Sequence, residues 1–197
     1  MKAKLLGVVG SLRRDSLTRH AVKYVLDHAQ KRGAEVKLLD LFETPLPFLK
    51  PDDRRNPEYL QALEQVSWAN CYLLGSPDYH GGMSGVMKNF LDHFWKEFGG
   101  KLFGYVCASH EKGLTAMDQM RVAVRQCYGW SLPYGASTTD GDFDSSWNIV
   151  NSNLSKRLET MAYDMTTYAP ILRAQFESDV ASSETNAGFA MHYRPRK

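Results

Sequence analysis

The feature that most constrains this chain is an alternation. Short apolar runs, Lys4–Val9, Glu35–Leu41, Asn70–Leu74, Leu102–Ala108 and the shorter Leu132–Ala136, are separated by segments long enough to form helices. Parallel strands need crossover connections of about a dozen residues or more, so this pattern predicts an α/β chain with five parallel strands in a doubly wound sheet. The first connection, from about Ser16 to Lys31, carries Leu17, Ala21, Tyr24, Val25 and His28 on one stripe and is closed by Gly33. Further apolar stripes follow at Leu60, Leu63 and Val66, then at Val86, Met87, Phe90, Leu91 and Phe94, and another helix is expected over about Thr115–Tyr128. A last helix bearing Val150, Leu154, Leu158, Met161, Met165 and Tyr168 is expected to stop before Pro170. Pro45, Pro47 and Pro51 mark an extended surface loop. The polar stretch from Ser178 reads as a tail, giving one domain over residues 1–177 and a tail over 178–197.

Composition narrows the partners. With 24 Lys+Arg against 22 Asp+Glu, the net charge of +2 supplies no broad field for nucleic acid or anionic lipid, yet leaves room for one local anion site. No run reaches the roughly 18 apolar residues of a membrane span. The three cysteines form no C-x-x-C pair, and Cys71 and Cys107 fall inside strand-like runs, which suits buried reduced thiols and a cytoplasmic address. His93 and Glu97 read as a solvated helix face, and Asp140, Asp142 and Asp144 as an acidic loop whose spacing fails the EF-hand pattern.

Doubly wound sheets bind ligands outside the carboxyl ends of their strands, so the loops after strands one, three and four matter most. After strand one stands Gly10-Ser-Leu-Arg-Arg-Asp-Ser16, opening a helix. Free amides at a helix N-terminus attract anions, and Ser11, Arg13 and Ser16 add donors suited to phosphate. Alone, the segment reads equally well as a helix cap with solvated arginines. It matches neither G-x-G-x-x-G nor the P-loop of nucleotide hydrolases. After strand three comes Gly75-Ser-Pro-Asp-Tyr-His-Gly-Gly-Met-Ser-Gly-Val-Met-Lys-Asn-Phe-Leu-Asp92. Its glycines permit close approach by a flat ligand and Pro77 and Tyr79 offer rigid apolar surface, although a packed glycine-rich turn is the plainer alternative.

Together these segments resemble the NADPH-dependent FMN reductase family, which includes quinone, azo-dye and chromate reductases. The residues that carry the resemblance are Gly10-Ser11, Arg13 and Ser16, then Ser76-Pro77, Tyr79-His80, Gly85, Lys88-Asn89 and Asp92, with Asp40–Pro47 after strand two also similar. The resemblance spans about Leu5–Ser137 and implies a flavodoxin-like three-layer sandwich. It further implies FMN phosphate at Ser11, Arg13, Ser16 and the Leu17 amide, and the isoalloxazine against Pro77, Asp78, Tyr79, His80 and Gly82, with Ser109 retained near the flavin edge. Lys88 and Asn89 look structural. Asp78 stands where the family usually has Glu, and Ser84 where Pro is common. His110, Glu111 and Lys112 replace a small Ser-Gly-Gly run and are expected at the substrate entrance.

The activity so implied is hydride transfer from NADPH, or NADH, through bound FMN to a small acceptor such as a quinone, azo compound, nitro compound, metal oxyanion or free flavin. No side-chain acid or base is obligatory, because the flavin carries the chemistry. A homodimer or homotetramer is expected, on the resemblance and on the aromatic stretch Phe90, Phe94, Trp95, Phe98 and Phe103. Two other classes stay open at this stage: a flavodoxin-type electron carrier, which the net positive charge disfavours, and a non-catalytic flavin-binding protein.

Overall fold

A computed structural model describes residues 1–52 and 56–195. The chain runs β1 (Lys4–Val9), α1 (Leu17–Lys31), β2 (Glu35–Asp40), α2 (Pro57–Trp68), β3 (Cys71–Tyr79), β4 (Gly82–Met83), α3 (Gly85–His93), β5 (Leu102–Ala108), α4 (Leu114–Gln126), β6 (Trp130–Ser131), β7 (Ala136–Thr138) and α5 (Ser152–Ala181). The order across the sheet is β2-β1-β3-β5-β6, with β7 also on β5, all parallel; β4 pairs antiparallel with the end of β3. Strand alternation sends Leu6 and Val8 into a core beneath α2, α3 and α4, and Leu5 and Val9 into a second core beneath α1 and α5. The result is the three-layer, flavodoxin-like sandwich.

Two glycines decide how closely α1 lies on the sheet. A Cβ at Gly7 would come within 2.7 Å of Val22 Cγ1, and one at Gly75 within 2.6 Å of Val22 Cγ2 and 2.8 Å of Thr18 Cγ2. The helix therefore sits directly over β1 and β3, and its N-terminus opens at the point where the strand order reverses.

Several elements differ from the sequence expectation. β3 continues beyond Leu74 to Tyr79, because Ser76 and Pro77 stay in register with Cys107 and Ala108 of β5 before the chain turns back through β4. The fifth strand pairs in two pieces, as β6 and β7, with a break at 133–135 inside the expected Leu132–Ala136 run. Pro133 has no N–H for the ladder, which breaks the strand there. α5 does not stop before Pro170; it runs through to Ala181, with Ala169 and Phe176 buried on either side of the proline. Residues 188–193 of the segment read as a tail form a 3-10 turn that folds back on the body, with Ala190 buried and Phe189 stacked on Phe176 at 5.6 Å. Of the five aromatics expected to leave surface for a partner, Phe90, Phe94, Phe98 and Phe103 are core residues and only Trp95 is exposed. His93, read as solvated, is buried with Nε2 2.9 Å from the Pro47 carbonyl.

Candidate functional site

A cleft of about 550 Å³ opens at the carboxyl ends of β1, β3, β5 and β7. Its first wall is the loop from Gly10 to Ser16. Gly10 N–H donates to the Gly75 carbonyl at 2.7 Å, tying the ends of β1 and β3 together. Ser16 caps α1, accepting from Arg19 N–H at 3.4 Å, and the first turn of α1 carries no acidic side chain to offset its positive end. Ser11, Arg13, Ser16 and Leu17 all line the cleft, as do Thr18 from the first turn of α1 and Asp15, the carboxylate just before the cap.

The loop is organised by a residue that sequence reasoning passed over. Arg19 Nε and Nη2 donate to Asp40 at 2.5 and 3.2 Å, and the same guanidinium donates through Nη1 to the carbonyls of Arg13, at 2.8 Å, and Arg14. This largely buried pair fixes the backbone around Arg13 from behind. Ser84 works similarly from the other side. Its N–H donates to Ser76 Oγ at 2.9 Å, a bond a proline could not make, and its hydroxyl donates to the Gly10 carbonyl at 2.6 Å while capping α3. The exchange of Pro for Ser thus ties the β1 and β3 loops to each other.

The second wall is the end of β3. Tyr79 pairs with Gly82, and the two residues between them, His80 at φ 57° and Gly81 at φ 76°, have the paired left-handed conformation of a type I′ hairpin turn. Pro77, Asp78, Tyr79, His80 and Gly81 line the cleft. Gly82, expected there, does not; it lies in β4 facing Gln119, and the turn brings Gly81 to the cleft in its place. Asp78 Oδ2 accepts from Ser109 Oγ at 2.9 Å, which couples the end of β3 to the loop after β5.

That loop supplies the third side. Ser109, His110 and Glu111 line the cleft, with His110 3.8 Å from exposed Asp140. Lys112 does not line it: at φ 66°, followed by Gly113 at φ 57°, it turns the chain into α4. Sequence reasoning missed the fourth side, formed by Thr138, Thr139, Asp140 and Trp147 after β7. The displaced fifth strand concealed it, since its carboxyl end falls at Thr138 and not at Ala136. Lys88 and Asn89 lie off the cleft. Lys88 pairs with Asp92 at 2.6 Å, and Asn89 holds the proline-rich loop through Leu46, Pro47 and Leu49.

Two buried atoms test what the cleft can receive. Thr18 Oγ1, in the first turn of α1, and Asp78 Oδ1, at the end of β3, have no hydrogen-bond partner among the described residues. One suits a ligand's anionic oxygen at a helix N-terminus and the other a ligand N–H or O–H, a donor set that fits a phosphorylated ring system such as FMN. A doubly wound sheet whose strand-end cleft has a helix N-terminus at one end and a rigid hairpin at the other fits the class of flavodoxin-like, flavin-binding proteins.

Comparison with known proteins makes the class specific. Residues 3–144 match the NADPH-dependent FMN reductase family, and the chain belongs to it. The FMN-dependent NADPH-azoreductases of Staphylococcus saprophyticus and Staphylococcus aureus are each 30% identical over 168 residues, covering 78% of this chain and 88% of theirs. Among solved structures, an NADH:FMN oxidoreductase in its apo form superposes with a TM-score of 0.69 at 18% identity over 94% of this chain and 93% of its own. The flavoenzyme NAD(P)H:(acceptor) oxidoreductase FerB of Paracoccus denitrificans does so with a TM-score of 0.73 at 17% identity, over 87% and 98%. The protein is an FMN- and NAD(P)H-dependent oxidoreductase.

Proposed function

We propose that the cleft holds FMN with its phosphate on Ser11, Arg13, Ser16, Thr18 and the Leu17 amide, and its ring along Pro77–His80 beside Ser109. The observation that carries this reading is the convergence, in one cleft, of a helix N-terminus with serine hydroxyls, a guanidinium and an orphan threonine hydroxyl at one end, where Asp15 is the one carboxylate beside the cap, and a rigid strand-end platform at the other. FMN, when bound, supplies a two-electron relay between nicotinamide and acceptor. The chain's residues bind and orient. Pro77 and the hairpin fix the plane of the ring, Asp78 offers a carboxylate oxygen to a ring N–H, and Ser109 holds that carboxylate in place. His110 and Glu111 form the rim where nicotinamide and acceptor would enter, and Lys112 has no part in it. No side chain is assigned a proton transfer.

The acceptor we infer is a small planar electrophile, an azo compound or quinone foremost, because the open side of the cleft is edged by exposed Tyr79. Metal oxyanions, nitro compounds and free flavin belong to the same range of acceptors. We assign the protein to the cytoplasm, where its three unpaired thiols would stay reduced. We also propose a homodimer built on α3 and α4. A groove of about 880 Å³ between them carries Leu91, Trp95, Val122 and Ala123, and Trp95 is 66% exposed.

The test is a visible absorption spectrum of the purified protein with FMN, repeated anaerobically after adding NADPH. Bleaching of the flavin band followed by recovery on adding an azo dye or quinone supports the reading. Bound flavin that NADPH leaves oxidised would identify a binding protein instead, and one-electron reduction without NADPH turnover an electron carrier.

A further inference from the structure

Trp147 stands just beyond the segment that matches the family, in the connection between β7 and α5. That connection is closely wired. Asp142 accepts from Thr139 N–H at 2.7 Å and from Asn151 Nδ2 at 2.6 Å, and Phe143 bridges to Ile149. Asp144 accepts from the N–H groups of Ser146 and Asn148, both at 2.8 Å, while Trp147 N–H closes the turn on the Asp144 carbonyl at 3.0 Å. These bonds hold Trp147 at φ 64°, a left-handed conformation that a bulky residue adopts only where its surroundings over-determine it.

The indole so placed lies flat on His20, with ring centroids 4.5 Å apart and planes 7° from parallel, and Phe143 backs it edge-on at 6.2 Å. His20 belongs to α1, one turn beyond the Ser16 cap, and its amide donates to the Ser16 carbonyl at 3.1 Å. Trp147 lines the same cleft as Ser16, Leu17 and Thr18, and its stack on His20 holds the indole against α1 one turn beyond the cap. No residue of that connection was legible as part of a site.

We propose that Trp147, positioned by His20, walls the phosphate end of the cleft and is the residue that selects FMN over FAD. The inference rests on placing the FMN phosphate at the α1 N-terminus. FMN ends in a phosphate monoester, which a closed pocket accommodates. FAD carries an adenylate on that same phosphate and needs an open path away from it. A phosphate placed there would have Ser11, Arg13, Asp15 and the first turn of α1 on its other sides, and the Trp147–His20 stack would close the side along α1. The indole also excludes water from the bonds the phosphate makes, which strengthens them.

The experiment measures the affinities of FMN, FAD and riboflavin by flavin fluorescence for wild type, Trp147→Gly, His20→Ala and His20→Phe. Glycine suits φ 64° and removes the wall without straining the turn. Trp147→Gly should lower the FMN-over-FAD affinity ratio by about tenfold or more. His20→Ala should lower it less, by loosening the indole, and His20→Phe should restore it by rebuilding the stack. A Trp147→Gly ratio equal to wild type, with FMN still bound more tightly than riboflavin, overturns the wall while leaving the phosphate assignment standing. Wild-type protein that binds riboflavin as tightly as FMN overturns the phosphate assignment, and the wall with it.

Discussion

At the scale of single residues, the cleft depends as much on side chains behind it as on those that line it. Arg19 does not line the cleft, yet it joins Asp40 to the carbonyls of Arg13 and Arg14, so the loop between β1 and α1 is set before any ligand arrives. Arg13→Met with Ser16→Gly should weaken FMN by about 3 kcal/mol, since each side chain removed takes a charge-assisted hydrogen bond, while riboflavin affinity stays unchanged. Glycine at the cap costs α1 only a few tenths of a kcal/mol, which separates binding from folding. Equal loss for FMN and riboflavin in that variant would refute the phosphate assignment. Arg19→Met should weaken FMN by about tenfold without touching it, with faster dissociation as the sign of a looser loop; unchanged dissociation would show that the loop holds its shape unaided. That Ser11, Arg13, Ser16 and Pro77–His80 share one cleft was legible because each group is contiguous in sequence and adjoins a strand end. Gly82 was misplaced by one residue because the hairpin phase depends on which two residues take left-handed φ, and His80 gives no compositional hint that it does.

At the scale of elements, the sequence foretold the alternation and most boundaries, and failed where tertiary packing outweighs a local rule. Pro170 removes one N–H from α5, yet the helix continues because its far half buries Phe176. That ring sits on bare backbone: a Cβ at Gly100 would come within 2.2 Å of Phe176 Cγ, and one at Gly99 within 2.1 Å of Tyr193 Cζ. Phe189 and Tyr193 complete the cluster at 5.6 and 5.1 Å from Phe176, and Tyr193 donates to the Cys127 carbonyl at 3.0 Å. A polar composition hid this, because three aromatics spread over the last helix and the turn after it show no periodicity. Phe176→Ala should cost about 3 kcal/mol in urea denaturation, and removal of residues 188–197 should also destabilise the protein by uncovering Phe176. A truncated protein as stable as the full chain would reduce the C-terminal turn to an appendage.

At the scale of the whole molecule, one buried amine should govern how stability responds to pH. Lys101 lies at the amino end of β5, on the edge of the sheet opposite the cleft, and is 5% exposed. Its Nζ donates to the Val66 carbonyl and to Tyr72 Oη, both at 3.0 Å, and no carboxylate among the described residues lies within 4.0 Å of it. Two acceptors satisfy the two hydrogens of a neutral amine and leave a third proton without a partner. Burial, reinforced by the charge of Arg173 and partly opposed by Glu97 and Cys71, lowers its pKa from 10.5 to about 7. Between these values the unfolded chain binds a proton that the folded one does not, so stability rises with pH from about 7, by up to about 1.4 kcal/mol per unit. Burial acts with the opposite sign on Cys71 and Cys107, raising both above 9.0, and on Tyr72 and Tyr105, raising both above 10.0. These groups ionise first in the unfolded chain, so stability falls again above about pH 9 and its maximum should lie between pH 8 and 9. Lys101→Met keeps the volume and leaves Tyr72 Oη donating to the Val66 carbonyl at 2.6 Å, so the variant should fold, gain stability below pH 7 and lose the rise between pH 7 and 9. Urea denaturation of both proteins at pH 6, 7, 8 and 9 measures the difference, and parallel curves for the two would show that Lys101 is charged in the folded protein.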